Sequence, residues 1–189
     1  MPEKPRILSH KIVARTRIFR IEQLELAFSN GEHRYYERLK GGSRGSVLIV
    51  PMLDDDTVLM IREYAAGCHR FELGLPKGII EEGEDPLQAA NREIMEEVGY
   101  GAHDLRKLRT MTIAPGYVQH HTHIVLARNL YPHRQPGDEP EPIEVVPWRL
   151  SQLKELLHQA DLTEARSIAA LFLTREALRE GLPSPTDNG

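Results

Sequence analysis

The sequence has a single cysteine, no long apolar run and no strong charge of one sign, and each of these absences excludes a class of protein. Cys68 is the only cysteine among 189 residues, so no disulfide forms within the chain. No apolar run reaches the roughly 18 residues of a membrane-spanning helix, and the start of the chain, MPEKPRILSHKIVARTR, lacks the apolar stretch of a signal peptide. The net charge of −4 is not the strongly basic balance typical of a nucleic-acid-binding domain. We therefore expect a cytoplasmic protein that binds neither membranes nor nucleic acids.

The chain begins with three predicted β-strands. Apolar and polar residues alternate in places over residues 7–16 and 19–28, and Ser29-Asn30-Gly31 is a strong turn signal ahead of a third strand at 33–40. Such a small sheet is marginal alone in water, so it must pack on the rest of the chain or on a second chain. The flexible break Gly41-Gly42-Ser43 follows it.

The rest of the chain predicts one larger domain. Further strands, a helix, more strands and two closing helices follow in order, which favours an α+β or α/β/α sandwich with a mixed sheet. The central helix begins after the cap Asp85, with Pro86 at its first position and Gln88 completing a capping box. It ends at Gly99. The predicted parts are an N-terminal antiparallel β-sheet appendage at residues 1–43, the main domain at 44–181 and a flexible tail at 182–189.

Three glutamates, Glu93, Glu96 and Glu97, lie on one flank of the central helix when it is drawn with 3.6 residues per turn. Like charges three or four residues apart repel, so a cation between them would stabilise the helix. Carboxylates without a neighbouring Cys or His select a hard ion such as Mg²⁺, Mn²⁺ or Ca²⁺, and Mg²⁺ is commonly shared with substrate phosphates. Taken alone, the helix favours the alternative, a solvated acidic face.

The segment around that helix carries a longer spaced motif: a glycine, five residues, a glutamate, seven residues, then Arg-Glu-apolar-x-Glu-Glu-x-Gly-apolar. Its residues here are Gly78, Glu84, Arg92, Glu93, Ile94, Glu96, Glu97, Gly99 and Tyr100. A chance match in a chain of this length has a probability on the order of 10⁻⁷. The segment resembles the box of the Nudix hydrolases, which cleave nucleoside diphosphates linked to a further group X, and on it the chain is identified as a member of that family.

The resemblance implies a Nudix α/β/α sandwich in which a loop–helix–loop holds divalent metal against the diphosphate. The implied metal ligands are Glu93, Glu96, Glu97 and the backbone carbonyl of Lys77. Arg92 is expected to orient these carboxylates through an ion pair, with Glu84 as a partner. Two or more Mg²⁺ ions, or Mn²⁺, would neutralise phosphate charge and supply a nucleophilic water, whose proton a carboxylate accepts.

The identity of that proton acceptor stays open between the box and a later loop. The segment 138–143, Asp-Glu-Pro-Glu-Pro-Ile, resembles the acidic loop of the ADP-ribose pyrophosphatase branch, in which a glutamate lies over the metals. Glu139 and Glu141 are therefore candidates for the general base. The alternative for both is a solvated acidic loop.

Two residues after the box indicate a branch of the family. Pro115 is at the position that marks ADP-ribose hydrolases, and Tyr117 is within the window associated with dinucleoside polyphosphate hydrolases. Together they suggest a broad hydrolase of ADP-linked compounds that cleaves ADP-ribose, diadenosine di- or triphosphate and NADH and releases AMP. The whole chain is similar to bacterial hydrolases of this kind. One departure is Gly74, where many ADP-ribose hydrolases have a glutamate, and Glu72 is the candidate substitute.

The resemblance also implies substrate-binding residues and a dimer. Arg62 occupies the strand position from which this branch contacts phosphate, a role that suits a planar guanidinium. Candidates for contact with adenine or its neighbouring groups are Tyr36, Arg38, Arg44 and Tyr117, with cross-strand packing as the alternative for Tyr36. In the ADP-ribose branch the N-terminal sheet is swapped across a homodimer, and the same is expected here.

Two other functions stay open. Some Nudix domains have lost catalysis and only sense ADP-ribose or NAD-like ligands, although those generally lose box glutamates that this chain retains. A hydrolase of another nucleoside diphosphate, such as a nucleotide sugar, is the second. The run His120-His121-x-His123 could suggest zinc, but it lacks a cysteine or a third spaced ligand and is interpreted as a polar strand face. Cys68 and Trp148 are interpreted as packing residues.

Overall fold

The structure is a computed structural model that describes residues 3–42 and 44–182. Ser43 of the predicted break and residues 183–189 of the predicted tail lie outside the described residues. The chain divides into two compact units, Met1–Gly45 with Thr112–His121, and Ser46–Met111 with Thr122–Gly189. The sequence did not indicate that a segment as distant as Thr112–His121 belongs with the N-terminal strands.

The described strands and helices are, in chain order, β1 (Arg6–Arg15), β2 (Arg20–Ala27), β3 (His33–Lys40), β4 (Ser46–Pro51), β5 (Thr57–Ala65), β6 (Arg70–Gly74), β7 (Lys77–Ile79), α1 (Pro86–Glu97), β8 (Tyr100–Met111), β9 (Val118–Gln119), β10 (Thr122–Pro132), β11 (Glu144–Arg149), the short helix α2 (Leu153–Leu156), preceded by a 3₁₀ turn at Leu150–Gln152, and α3 (Ala165–Glu180). Within the described residues, no helix is both long enough and apolar enough to cross a membrane.

The first unit is a four-stranded sheet in the order β1-β2-β3-β9. β1, β2 and β3 pair antiparallel as the sequence predicts, and the two-residue strand β9 adds a parallel pair beside β3. The predicted turn joins β2 to β3, and Gly31 takes a left-handed φ of 84° there, which glycine adopts without steric cost. All ten residues of β1 are exposed.

The second unit contains two sheets, β7-β4-β10-β8 and β11-β5-β6. β4 and β10 run parallel while their other neighbours pair antiparallel, so the larger sheet is mixed. All six residues of β4 are buried, as expected of a strand covered on both faces. Its side chains alternate: Val47 and Ile49 share a core cluster with Ile94 of α1, whereas Leu48 and Val50 pack with Leu171 of α3. The predicted α/β/α sandwich is thereby confirmed.

β8 begins at Tyr100, because Gly99 at φ 83° turns the chain directly from α1 into the strand. One detail differs from the sequence prediction. The interpretation of Cys68 as a packing residue is wrong, since its side chain is exposed in the turn between β5 and β6. Trp148 does pack against the core cluster that includes α2 and α3.

Candidate active site

Both ends of helix α1 are fixed by the capping residues from which the sequence predicted the helix. The Asp85 carboxylate accepts hydrogen bonds from the backbone N–H groups of Leu87 and Gln88 at 2.8 and 2.9 Å. The Gln88 side chain accepts one from the Asp85 N–H at 2.9 Å, which completes the predicted capping box. At the other end, the N–H of Gly99 donates to the carbonyl of Ile94. The helix therefore presents its acidic flank in a fixed orientation.

Gly78 brings the start of the box against that flank. It lies in β7, which pairs antiparallel with β4 at the edge of the mixed sheet. A Cβ atom at Gly78 would lie 1.9 Å from the carboxylate carbon of Glu93, which is a steric overlap. Only glycine allows this close approach of backbone and carboxylate.

Arg92 joins three of the box carboxylates. Its guanidinium makes a two-pronged ion pair with Glu84, with Nε and Nη2 donating at 2.8 and 3.0 Å. Nη1 donates to Glu93 at 2.7 Å and to Glu96 at 3.1 Å. These bonds raise the pKa of Arg92 and hold the pKa of Glu84 below its usual value. The ion pair with Glu84 expected from the sequence is present, and Arg92 is placed to orient the carboxylates.

Glu93 and Glu97 are buried carboxylates with too little positive charge around them. They are only 8% and 7% exposed. Burial, together with the charges of Glu93 and Glu63, raises the pKa of Glu97 to about 8, although Lys77 opposes this. Burial also raises the pKa of Glu93, with the charges of Glu96 and Asp138 adding to the effect. Two buried acids that repel each other fit a cation between them.

The oxygen donors on this flank suit a hard divalent ion. However, across residues 3–42 and 44–182 no three His, Cys, Asp or Glu side chains are already arranged to hold a metal. In this structure Arg92 draws Glu93 and Glu96 toward itself, and Glu97 accepts a hydrogen bond from the N–H of Lys77 at 3.1 Å. The box acids are thus bonded to other groups of the protein.

The acidic loop after β10 is anchored to the end of α1. The N–H groups of His133 and Gln135 donate to the carbonyls of Gly99 and Met95, both at 3.1 Å. Between them, Nη1 of Arg134 donates to the carbonyl of Glu96 at 3.2 Å. A cation there also complements the negative end of the helix dipole. The loop therefore starts from a fixed point beside the acidic flank.

Glu139 lies on this loop in the same electrostatic environment as the box acids. Partial loss of hydration raises its pKa, and the charges of Glu63 and Asp138 add to this while Lys77 lowers it. Glu139 nevertheless remains exposed to solvent. Glu141 is also exposed, and no hydrogen bond or ion pair joins its side chain to another described residue. Of the two candidate bases, Glu139 is the one placed near Lys77 and Glu63.

Of the predicted substrate-binding residues, Arg62 belongs to the second unit and is paired there with other acids. Arg62 donates to Glu144 at 2.7 Å and to Asp161 at 3.1 Å. Side chains alternate along β5, and Ile61 packs in the cluster that contains α1, so Arg62 lies on the opposite face. The other four predicted residues belong to the first unit.

In the first unit, the four predicted residues differ in how far they are engaged. Arg38 donates twice to the buried carboxylate of Glu22, at 2.9 and 2.8 Å. The ring of Tyr36 lies 6.3 Å from that of Phe28. Arg44 is exposed, and Tyr117 is 75% exposed. The rings of Tyr36 and Tyr117 are therefore accessible, whereas the guanidinium of Arg38 is already paired.

Sequence reasoning missed three side chains of the site. The ammonium of Lys77 pairs with Glu63 at 2.5 Å, although the sequence assigned a role only to the Lys77 carbonyl. Arg134, which anchors the acidic loop, was not singled out. Glu63 and Arg134 come from elements other than the box, and only the fold brings them beside Lys77 and the end of α1.

Comparison with known proteins gives the family. Residues 42–172 match the sequence profile of the NUDIX domain, and residues 5–38 match that of the NudE-type Nudix hydrolase N-terminal domain. The chain therefore belongs to the Nudix hydrolases, enzymes that generally use divalent metal ions. The family assignment made from the box is confirmed.

Particular relatives resemble nearly the whole chain. The ADP compounds hydrolase NudE of Escherichia coli (strain K12) is 49% identical over 94% of this chain and 95% of its own length. The ADP-ribose pyrophosphatase of Bacillus subtilis (strain 168) is 28% identical over 91% of this chain and 97% of its own. A crystal structure of an ADP compounds hydrolase matches with a TM-score of 0.89 and 47% identity, over 95% of this chain and 97% of that one. These likenesses confirm the predicted fold class and the similarity to bacterial ADP-compounds hydrolases.

Proposed function

We propose that this chain is a Mg²⁺-dependent hydrolase of ADP-linked compounds, including ADP-ribose, diadenosine di- or triphosphate and NADH, and that it releases AMP. The observation that carries the proposal is the pair of buried, mutually repelling carboxylates Glu93 and Glu97, inside a box whose every acid is retained. Two relatives that span nearly the whole chain are named for ADP compounds and for ADP-ribose. The reducing cytoplasm is the proposed location, supported by the single cysteine.

The proposed roles follow from the contacts. Glu93, Glu96, Glu97 and the Lys77 carbonyl would hold two or more Mg²⁺ ions, with Mn²⁺ as a substitute. When bound, the metal would neutralise charge at the diphosphate and lower the pKa of a water. Arg92 orients Glu93 and Glu96 through its hydrogen bonds.

Glu139 is the proposed proton acceptor. Its raised pKa brings it closer to the range in which a carboxylate acts as a general base at neutral pH, and its solvent exposure leaves it free to meet a water. Glu141, which follows it on the same loop, is the alternative. Arg62, Arg38, Arg44, Tyr36 and Tyr117 remain the proposed substrate-binding residues.

The proposed assembly is a homodimer with a swapped N-terminal sheet. Four large apolar side chains of β1 are between 42% and 52% exposed in the single chain: Ile7, Leu8, Ile12 and Val13. An edge strand with exposed apolar residues is a natural surface for pairing with another chain. The occupant that best fits this surface is a second copy of the same strand and its sheet.

A panel of substrates with and without Mg²⁺ tests the proposed reaction. The panel contains ADP-ribose, NADH, diadenosine diphosphate and GDP-mannose, and AMP release is measured by chromatography. We expect Mg²⁺-dependent AMP from the ADP-linked compounds. Binding of ADP-ribose without turnover would instead indicate a sensor domain, and turnover of GDP-mannose alone would indicate a nucleotide-sugar hydrolase.

A further inference from the structure

The second unit contains a cavity of about 330 Å³ that none of the roles above uses. It lies between the β5–β6 hairpin and the start of α3, and its lining includes Tyr64, Cys68, Glu72, Gly74 and Thr163. Ligand sites in proteins commonly have volumes of about 300–1,000 Å³, so this space admits a sugar or a nucleoside.

Lys77 connects the cavity to the acidic flank of α1. Its backbone N–H binds Glu97 at 3.1 Å, while its side chain lines the cavity and pairs there with Glu63. A phosphate held at the box acids would therefore have the beginning of the cavity within the length of one lysine side chain. A group attached to that phosphate could therefore enter the cavity directly.

The cavity wall is built from side chains that are already fixed by hydrogen bonds. The hydroxyl of Ser167 accepts from the N–H of Leu75 at 3.0 Å and donates to Glu164 at 2.8 Å. The hydroxyl of Thr163 donates to Glu72 at 2.7 Å. Gly74 adds no side chain to the wall, and a Cβ there would lie 3.4 Å from the Ser167 hydroxyl. Because these side chains are held by hydrogen bonds, the cavity keeps its shape and is preorganised for binding.

The polar groups of the lining favour a ligand that donates hydrogen bonds. Three carboxylates line the cavity, from Glu63, Glu72 and Glu164, and they are paired with Lys77, Arg70 and Arg166 respectively. Each carboxylate oxygen has more than one lone pair, so hydroxyl or N–H donors of a ligand find acceptor oxygens. The apolar side chains of Ile61 and Leu73 complete the lining and suit the carbon face of a ring.

We propose that this cavity binds the group X of an ADP-X substrate, and that it selects a ribosyl group with free hydroxyls. The assignment rests on the proposed function, because it requires that the diphosphate be held at the acids of α1. It makes Cys68, Gly74 and Glu72 specificity residues of the reaction.

Cys68 provides a direct test, because it is the only thiol of the chain and lines the cavity. Its alkylation by iodoacetamide is followed by mass spectrometry in the presence of Mg²⁺ and two uncleavable analogues. α,β-methylene ADP-ribose contains group X, and α,β-methylene ADP lacks it. α,β-Methylene ADP-ribose, at a concentration about ten times its dissociation constant as measured by calorimetry, should slow the alkylation about tenfold. α,β-Methylene ADP, at equal occupancy, should leave the alkylation rate unchanged.

A matched pair of variants tests the same cavity by turnover. Cys68→Trp fills it from the exposed turn, and Ala66→Trp places the same ring in the same turn outside the lining. We expect Cys68→Trp to lower kcat/KM for ADP-ribose by about tenfold or more, since groups excluded from a fitted pocket lose on this scale. Hydrolysis of the methyl ester of ADP, whose group X is a single methyl, should stay within about twofold. Ala66→Trp should change neither.

The possible outcomes separate this proposal from the proposed function. If the wild-type protein releases no AMP from any ADP-linked compound, the proposed function fails and the assignment fails with it. If AMP is released but both analogues protect Cys68 equally, or neither does, only the cavity assignment is overturned. A thiol that does not react in the free protein would also overturn it, because the cavity would then be covered.

Discussion

At the residue scale, Glu97 combines the two properties expected of a metal ligand, burial and unrelieved negative charge. Burial raises the pKa of Glu97 in the folded protein to about 8, above the usual 4.5 of a glutamate carboxyl, so the metal-free protein loses stability as the pH rises through this range. We therefore predict that Glu97→Gln keeps or raises the melting temperature of the metal-free protein at pH 8. Activity should nevertheless fall by more than the roughly 10–100-fold that loss of an outer-shell partner costs.

Glu82→Gln is the matched control for that variant, because Glu82 is an exposed acid of the same box without an assigned role. Melting is followed by circular dichroism in EDTA, and turnover is followed with ADP-ribose and Mg²⁺. A Glu97→Gln protein that stays within a few-fold of the wild-type rate would contradict the ligand assignment. One that melts well below the wild type at pH 8 would contradict the assigned origin of the raised pKa.

Glu22 is another buried carboxylate, but its pKa is shifted in the opposite direction. It is 1% exposed and accepts hydrogen bonds from Lys40 at 2.7 Å and from Arg38 at 2.9 and 2.8 Å. The Lys40 bond first, and then those from Arg38, lower the pKa of Glu22 from 4.5 to about 2 against the opposing effect of burial. The folded state therefore binds fewer protons than the unfolded state between these two pH values.

We predict that Glu22 stabilises the protein above about pH 5 and that this contribution is lost as the pH falls toward 2. A shift of this size corresponds to at most about 3 kcal/mol. The free energies of unfolding in urea of the wild type and of Glu22→Gln should differ at pH 7 and converge between about pH 3 and pH 2. Glu25→Gln, on the same strand, serves as the control. A difference that persists unchanged at pH 2.5 would show that packing, not charge, is the cause.

At the element scale, the capping residues and the box spacing were sufficient to predict α1. Asp85 and Gln88 form the expected capping box, and Gly99 ends the helix. β4 could likewise be predicted from its unbroken apolar run. β7 could not, because a three-residue strand that contains a glycine has no alternation to detect. Its existence depends on pairing with β4, a long-range contact that a local pattern does not contain.

The residues of the candidate site also differ in whether the sequence alone could predict them. The box acids and Arg92 could be predicted because their spacing on one helix fixes their neighbours. The cavity lining could not, because Gly74, Lys77 and Thr163 come from separate elements that only the fold brings together. The same holds for the contact between Arg134 and the end of α1.

That contact leads to a prediction about the acidic loop. Arg134 bonds the carbonyl of Glu96 just before the loop that carries Glu139, so it should act as a positioning residue for Glu139. We expect Arg134→Met to lower kcat for ADP-ribose with little change in KM. In a double-mutant cycle with Glu139→Gln, the two losses should not add, with a coupling of about 0.5–3 kcal/mol.

Arg128→Met is the control for this cycle, because Arg128 pairs with Asp55 rather than with α1. It should leave kcat unchanged and its effect should add to that of Glu139→Gln. Fully additive losses for Arg134→Met and Glu139→Gln would mean that Arg134 stabilises the fold without positioning the loop. An unchanged kcat in Arg134→Met would contradict the anchoring role altogether.

At the scale of the whole molecule, the net charge of −4 conceals a separation of charge. The first fifty residues contain ten basic and five acidic groups, whereas the box from Gly78 to Tyr100 contains seven acidic groups and one basic group. The box acids belong to the second unit, and four of the five predicted substrate-binding residues belong to the first. A polyanion bridged by Mg²⁺ needs both kinds of charge, and the sequence contains both.

The exposed strand β1 determines the last prediction. It lies at the edge of its sheet, and Ile12 and Val13 are 43% and 42% exposed. If a second copy covers this strand, sedimentation should give twice the chain mass of 21.5 kDa. Ile12→Lys and Val13→Lys, made singly, would place a charge in the covered surface, which costs several kcal/mol unless the charge is paired. We expect at least one variant to sediment as a single chain while its circular dichroism spectrum is retained. A wild-type protein of single-chain mass would reject the dimer, and two dimeric variants would place the interface away from β1.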